Sequence, residues 1–269
     1  MAKGRRFVPG EGMVSDLKTH VRIVTPVTAK NFRSHDQFAF LESASLSVSL
    51  VAIDSGPTSI ESAFDAAVAG PSTIARLIEA EGEGVDAIVI DCMVDPALEA
   101  ARECVSIPVL GTAQMSMHLA ACLSQRFTIL TVMSRMQAQF EKLATLYGLG
   151  NRLASVRAVD VPVLKLATDT SRTAKLLSDA AYRSVEQDGA DCIIFGCTGF
   201  LGHADAVRRD LTARGYDVPV IDPVPTAVRI AEALCNSGLS HSKLTFPFPP
   251  RKPISGYSEL SMQSKGASS

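Results

Sequence analysis

The chain has 269 residues, 46% of them hydrophobic and 20% charged, with 26 Lys and Arg against 28 Asp and Glu for a formal net charge of -2. That composition excludes the weakly hydrophobic, highly charged regime of disorder. It provides no basic excess for a general grip on nucleic acid, and no apolar run reaches the ~20 residues needed to span a bilayer.

Residues 1–19 read as an irregular arm interrupted by Gly4, Pro9, Gly10 and Gly12, basic but without the hydrophobic segment of a secretion signal. The first strand is expected over HVRIVTP, residues 20–26, and the second over SLSVSLVAI, residues 45–53, closed by the turn Asp54–Pro57. The stretch that follows has helical spacing. Pro71 inside it predicts a division into two helices, because an internal proline loses a hydrogen bond and clashes with the preceding turn. AIVID (87–91), IPVLG (107–111), FTILTV (127–132), CIIFG (192–196) and VPVID (218–222) are short apolar runs of the kind found in buried parallel strands. Amphipathic segments lie between them, so the expected fold is α/β, with parallel sheets flanked by helices.

Three echoes sharpen the architecture. GVDAIVIDC at 84–92 recurs as GADCIIFGC at 189–197, VRIVT at 21–25 as FTILT at 127–131, and IPVLG at 107–111 as VPVID at 218–222. Recurrence in the same order predicts two similar lobes facing each other. In each copy of the first echo a cysteine, Cys92 or Cys197, follows the strand directly. Ligands of open α/β sheets bind at the carboxyl ends of the strands, so the two thiols are expected on opposite sides of one cleft. If each turn starts a helix, the helix N-terminus would stabilise a thiolate. One thiolate could then remove a proton from one face of a carbon acid while a thiol delivers one to the other. The pair could also supply one nucleophile and one acid.

Other polar loop residues fit a supporting role. Thr25, Thr28, Ser59 and Thr198 lie where hydroxyls can hold a carboxylate or an enolate, although any of them could equally be a helix cap. Asp95 before Pro96 reads as an N-cap with proline at the first helical position. Pro26, Gln114 and Gly199 complete the set expected to contact substrate. His118 and His203 are weaker acid/base candidates. Cys104, Cys122, Cys192 and Cys235 read as small buried packing residues. Six cysteines in this length are too sparse for a disulfide scaffold, so a reducing, cytoplasmic setting is expected. No CxxC or HxxxH motif predicts a metal site, and neither GxGxxG nor GxxxxGK[ST] predicts a nucleotide site. No cofactor is expected.

The segments GPTSIESAFDAAVAGP (56–71), AIVIDCMVDPALEAARE (87–103), IPVLGTAQMSMHLA (107–120), CIIFGCTGF (192–200) and VPVIDPVPTAVRIAEAL (218–234) together resemble the aspartate/glutamate/hydantoin racemase superfamily, most closely its hydantoin racemase branch. The resemblance implies a cofactor-independent site between two pseudo-twofold-related lobes, with Cys92 and Cys197 as the acid/base pair, and a homo-oligomer. It also implies that the last strand and helix return to the first lobe. The lobes would then be 20–104 plus 216–240 and 105–215, with a Pro/Ser-rich tail over 241–269. Two departures bear on substrate. The branch's Asn-Pro-Asn-Thr is here Thr25, Pro26, Val27 and Thr28, and its GxGEA motif is GTAQM, with Gln114 in place of the glutamate. The expected function is racemisation of a hydantoin-like or related small carbonyl carbon acid. The alternatives are cis-trans isomerisation of a small diacid, arylmalonate-type decarboxylation, or a two-lobed small-molecule binding protein with inert cysteines. No nucleic-acid or membrane partner is expected.

Overall fold

The computed structural model describes residues 18–29, 32–250, 252–257 and 260. The expected N-terminal arm lies outside them up to residue 17. The chain builds two four-stranded sheets. The first contains β1 (Thr19–Thr25), β2 (Leu46–Ala52), β3 (Ala87–Ile90) and β4 (Val109–Gly111), in the order β2-β1-β3-β4. The second contains β5 (Phe127–Thr131), β6 (Leu153–Ala158), β7 (Cys192–Phe195) and β8 (Val220–Ile221), in the order β6-β5-β7-β8. All pairings are parallel. The two sheets thus share one topology, which is the physical content of the sequence echoes. β3, β5 and β7 are buried throughout, as continuous apolar runs in parallel sheets should be.

Seven α-helices among the described residues flank the sheets: α1 (Ala63–Gly82), α2 (Leu98–Cys104), α3 (Thr112–Leu123), α4 (Gln137–Leu146), α5 (Thr170–Asp188), α6 (Ala204–Ala213) and α7 (Pro223–Asn236). None of them is long and apolar enough to cross a membrane. The last helix of each lobe crosses to the other. Ala113, Met117 and Ala120 of α3 share a core with Phe127, Ile129 and Ile194 of the second sheet. Val224, Ala227, Val228 and Ala231 of α7 pack with Val21, Ile23, Val89 and Leu110 of the first. The strands before these helices do not cross. β4 pairs with β3 and β8 with β7, so a division at residues 105 and 216 detaches each edge strand from the sheet that hydrogen-bonds it. Residues 107–111 belong to the first lobe and 218–221 to the second.

One further expectation is corrected, and two features go beyond the sequence reading. α1 runs as one helix through Pro71. Ser62 caps it by accepting from the Asp65 amide at 3.1 Å, and the Asp65 carboxylate accepts in turn from the Ser62 hydroxyl and the Glu61 amide. Its buried Ala69, Gly70, Ser72, Thr73 and Leu77 anchor it on both sides of the proline. That packing offsets the ~3 kcal/mol an internal proline costs. β6 carries no expectation from sequence: it is an edge strand whose one buried residue is Val156, so its apolar pattern is weak. The tail residues 241–248 fold back on the first lobe. His241 pairs through Nε2 with the Val109 backbone, Lys243 donates to the carbonyls of Arg102 and Val105 at the end of α2, and the Phe246 ring lies 5.6 Å from the Arg102 guanidinium.

Candidate active site

One residue separates Cys92 from the end of β3 and one separates Cys197 from the end of β7, and both line a cleft between the lobes. Its walls are mostly apolar: Val27, Phe32 and Ile60 from the first lobe, Met136, Phe140 and Val163 from the second. Few polar side chains line it besides the thiols, chiefly Asp91, Thr131 and Thr198. No Lys or Arg lines it among the described residues.

Neither cysteine starts an α-helix, contrary to the sequence expectation. The turn after Cys92 is irregular and places Asp95 and Ala97 in the left-handed region, at φ 46° and 59°, before α2 begins at Leu98. The turn after Cys197 is a single 3-10 turn, Thr198–Phe200. Without a helix behind them, burial dominates both thiols. The Cys197 thiol is pushed up to about 11 by desolvation, opposed by the Gly199 amide, which donates to Sγ at 3.3 Å, and by the Arg33 charge. The Cys92 thiol is pushed higher still by desolvation, the Val94 amide opposing it, with Cys197, Asp91 and Asp95 adding to the rise.

The group behind both thiols is a buried ion pair absent from the sequence-based set. The Arg33 and Asp91 side chains are 5% and 0% exposed. Arg33 donates from Nε and Nη2 to the two carboxylate oxygens at 2.7 and 3.0 Å, and Nη2 also donates to the Thr198 carbonyl at 2.6 Å. Thr25 donates to the same carboxylate at 3.1 Å, and the Thr198 hydroxyl donates to the Asp91 carbonyl at 3.3 Å. The position of Asp91, directly before Cys92 in the echo, was a usable signal. Arg33 had none, because its partner is 58 residues away.

The remaining expected residues separate into two groups. Thr198 lines the cleft. Thr25 is buried on Asp91, Thr28 donates to the Pro57 carbonyl at 3.2 Å, and Gly199 serves through its amide. Pro26 is buried and Ser59 half-buried, and neither lines the cleft, although their neighbours Val27 and Ile60 do. Asp95 and Gln114 lie elsewhere, in a second pocket with Arg102, His118 and Tyr147. Asp95 caps α3 rather than α2. It accepts from the amides of Ala113 and Gln114 at 2.9 and 2.8 Å and from the Tyr147 hydroxyl at 2.7 Å. A side chain at Gly111 would collide with this carboxyl group, so the glycine is required by the cap. Gln114 accepts from Arg102 at 2.6 Å. His118 and His203 are also outside the cleft. Among the other cysteines Cys192 is buried as expected, whereas Cys122 is exposed at the end of α3.

Two parallel-sheet lobes of one topology, each presenting a cysteine at a strand end to a shared cleft, make the two-lobed α/β fold of the Asp/Glu racemases. The chain belongs to the Asp/Glu/hydantoin racemase family, whose description matches residues 36–231. It is 35% identical to a hydantoin racemase of Pseudomonas sp. (strain NS671) over 88% of its own length and 94% of that protein's, and 39% identical to one from Rhizobium meliloti over 75% and 82%. The allantoin racemase from Klebsiella pneumoniae superposes with a TM-score of 0.83 at 31% identity, covering 89% of this chain and 97% of that one. The chain is accordingly an isomerase of the racemase kind.

Proposed function

We propose that the protein racemises a small, uncharged, hydantoin-like ring whose acidic carbon carries an apolar substituent, with Cys92 and Cys197 as the proton-transfer groups and no cofactor. The observation that carries this reading is the composition of the cleft: two thiols, one from each lobe, among apolar walls. A carbon between a ring nitrogen and a carbonyl is acidic enough for a thiolate base, because its carbanion spreads into the carbonyl as an enolate. One sulfur takes the proton from one face, and the other returns a proton to the opposite face. The enolate oxygen needs a donor in a dry site. Thr131 supplies a candidate: it is fully buried, lines the cleft, and its hydroxyl has no protein partner.

The names of the relatives divide between hydantoin and allantoin. The apolar walls favour a hydrocarbon substituent over a ureido group, which would leave its polar atoms unpaired against Val27, Phe140 and Val163. They also disfavour a diacid. Among the described residues the cation beside the cleft, Arg33, is already neutralised by Asp91, and no other offers a clamp for two carboxylates.

The test is hydrogen exchange in D2O on single enantiomers of hydantoins with apolar 5-substituents and of allantoin, and incubation with achiral maleate, followed by NMR and, for the chiral substrates, chiral chromatography. Deuterium entering the acidic carbon with loss of optical purity, fastest for the apolar hydantoins, is the expected result. Preference for allantoin would overturn the reading of the walls. Geometric isomerisation of maleate without exchange of any ring would overturn the racemase assignment of substrate.

A further inference from the structure

We infer that Arg33 is a positioning residue that fastens the two cysteine loops to one another and makes their thiols unequal, so that in the resting enzyme Cys197 is the base and Cys92 the acid. The inference rests on the two-thiol reading above and adds to it an order of charge and a residue that sets it.

The fastening is visible in the hydrogen bonds. Asp91 immediately precedes Cys92, and Thr198 immediately follows Cys197. A single guanidinium holds the Asp91 carboxylate through both oxygens and the Thr198 carbonyl through Nη2. The Thr198 hydroxyl closes the loop on the Asp91 carbonyl. Arg33 is itself held between aromatic rings, 4.8 Å from the Phe32 centroid and 5.8 Å from that of Phe38, and Phe32 is a wall of the cleft. The planar fork presents its N–H groups to two carboxylate oxygens and a third acceptor from fixed directions, so lysine would keep the charge but lose the bidentate geometry.

The inequality follows from how the ion pair is oriented. Arg33 acts on Cys197 as a favourable charge, opposed there by Asp91 and Glu61. Around Cys92 the charged neighbours are Asp91, Asp95 and the other cysteine, all of them unfavourable to a thiolate. Arg33 is in turn faced by Asp91, Cys197 and Asp222. The geometry has the same sense: Arg33 Nη2 reaches the residue after Cys197, whose Sγ also accepts from the Gly199 amide at 3.3 Å, whereas the carboxylate belongs to the residue directly before Cys92. In the reaction the Cys197 thiolate accepts the C–H proton and becomes a thiol while the electron pair remains on the enolate. The Cys92 thiol then gives its proton to the opposite face and becomes the thiolate. The enantiomer whose C–H faces Cys197 reacts from the resting form directly, whereas its mirror image first requires the charge on Cys92.

The experiment compares wild type, R33K and the double variant R33Q/D91N, which removes both buried charges together and so keeps the fold accessible where R33Q alone leaves Asp91 unpaired. Alkylation by iodoacetamide is followed at each cysteine by peptide mass spectrometry across pH 7–10, and D2O exchange is followed from each enantiomer separately. In wild type Cys197 should be alkylated at least roughly tenfold faster than Cys92, which corresponds to about one unit between the thiols. R33Q/D91N should bring the two rates to within about threefold and lower kcat at least roughly tenfold with KM little changed, as expected when alignment rather than binding is lost. R33K should retain the preference for Cys197 yet lose turnover. An unchanged alkylation ratio in folded R33Q/D91N would overturn the role of Arg33, and faster labelling of Cys92 in wild type would overturn the order. Absence of exchange by wild type on every substrate would sink the racemase reading instead, and the alkylation ratios would still decide the inference.

Discussion

The two cysteine loops begin from nearly the same sequence and end in different chemistry. In GVDAIVIDC the residue before the cysteine is Asp91; in GADCIIFGC it is Gly196. The glycine is forced by packing, since a Cβ there would lie 2.6 Å from the Ile129 side chain and 2.9 Å from the Leu130 carbonyl. The consequence reaches the preceding echo. Thr25 at the end of β1 donates to Asp91, but Thr131, its counterpart at the end of β5, faces a glycine and keeps an unpartnered buried hydroxyl at the cleft. One lobe thus spends its threonine on a buried ion pair, while the other leaves its threonine hydroxyl unpaired at the cleft. In the proposed mechanism, the pseudo-twofold frame would give a reaction on both faces of a carbon its two opposed thiols, and the departures from symmetry would provide the charge and the donor, each needed only once.

Removing either thiol tests this contrast most severely. Cys92→Ala and Cys197→Ala should each lower racemisation by about 10³-fold or more, the upper range for a positioned acid or base, with the fold intact. The two should nevertheless differ. Cys92→Ala retains slow deuterium exchange of one enantiomer without inversion, while Cys197→Ala loses it; equal residual exchange, read by NMR on each enantiomer, would erase the asymmetry. The pH profile comes next. Because burial raises the Cys197 thiol to about 11, the thiolate fraction of free enzyme climbs tenfold per pH unit below that value. A plot of log kcat/KM against pH should rise with a slope near one from pH 7 to 10, and a plateau reached near pH 7 would contradict it.

A smaller effect is expected at the unpaired threonine. Thr131→Val should cost about tenfold in kcat/KM, one hydrogen bond to a developing charge. Urea denaturation should show no loss of stability, because the hydroxyl has no protein partner to lose. Thr25→Val should instead destabilise by about 1 kcal/mol or more, since it leaves the buried Asp91 one donor short.

A further contrast, read in stability rather than turnover, lies between the carboxylates at the starts of the two crossing helices. Asp95 at α3 has three donors, whereas Asp222 at α7 accepts from the Gly202 amide at 2.8 Å through one oxygen and leaves the other, buried, without a partner. Burial raises both to about 6 from an ordinary value of 3.8. The folded form then holds these protons to higher pH than the unfolded form, so their contribution to stability is complete below about pH 4 and is lost as pH rises through about 6. Each accounts for a slope on the order of 2 to 3 kcal/mol across that window. Asp222→Asn should flatten the slope in urea midpoints measured from pH 4 to 7 without disturbing α7. Asp95→Ala should cost about 2 kcal/mol at pH 7, the upper range for a lost cap.

The sequence by itself determined the α/β class, the repeat and the placement of two cysteines at matching strand ends, because buried parallel strands are short apolar runs that local pattern reveals directly. Residue type also placed Thr198 at the cleft. What only the tertiary structure decided depends on contacts between distant residues. Pro71 stays within one helix because packing on both sides outweighs a local rule. Asp95 turns away from the helix that follows it to cap one that starts 17 residues later. The edge strands β4 and β8 stay with their own sheets while the helices after them cross, a choice made by ladder hydrogen bonds that composition does not encode. Arg33 reaches Asp91 across 58 residues and Thr198 across 165. Periodicity records which face of an element is buried; it carries no information about which distant charge will meet it there.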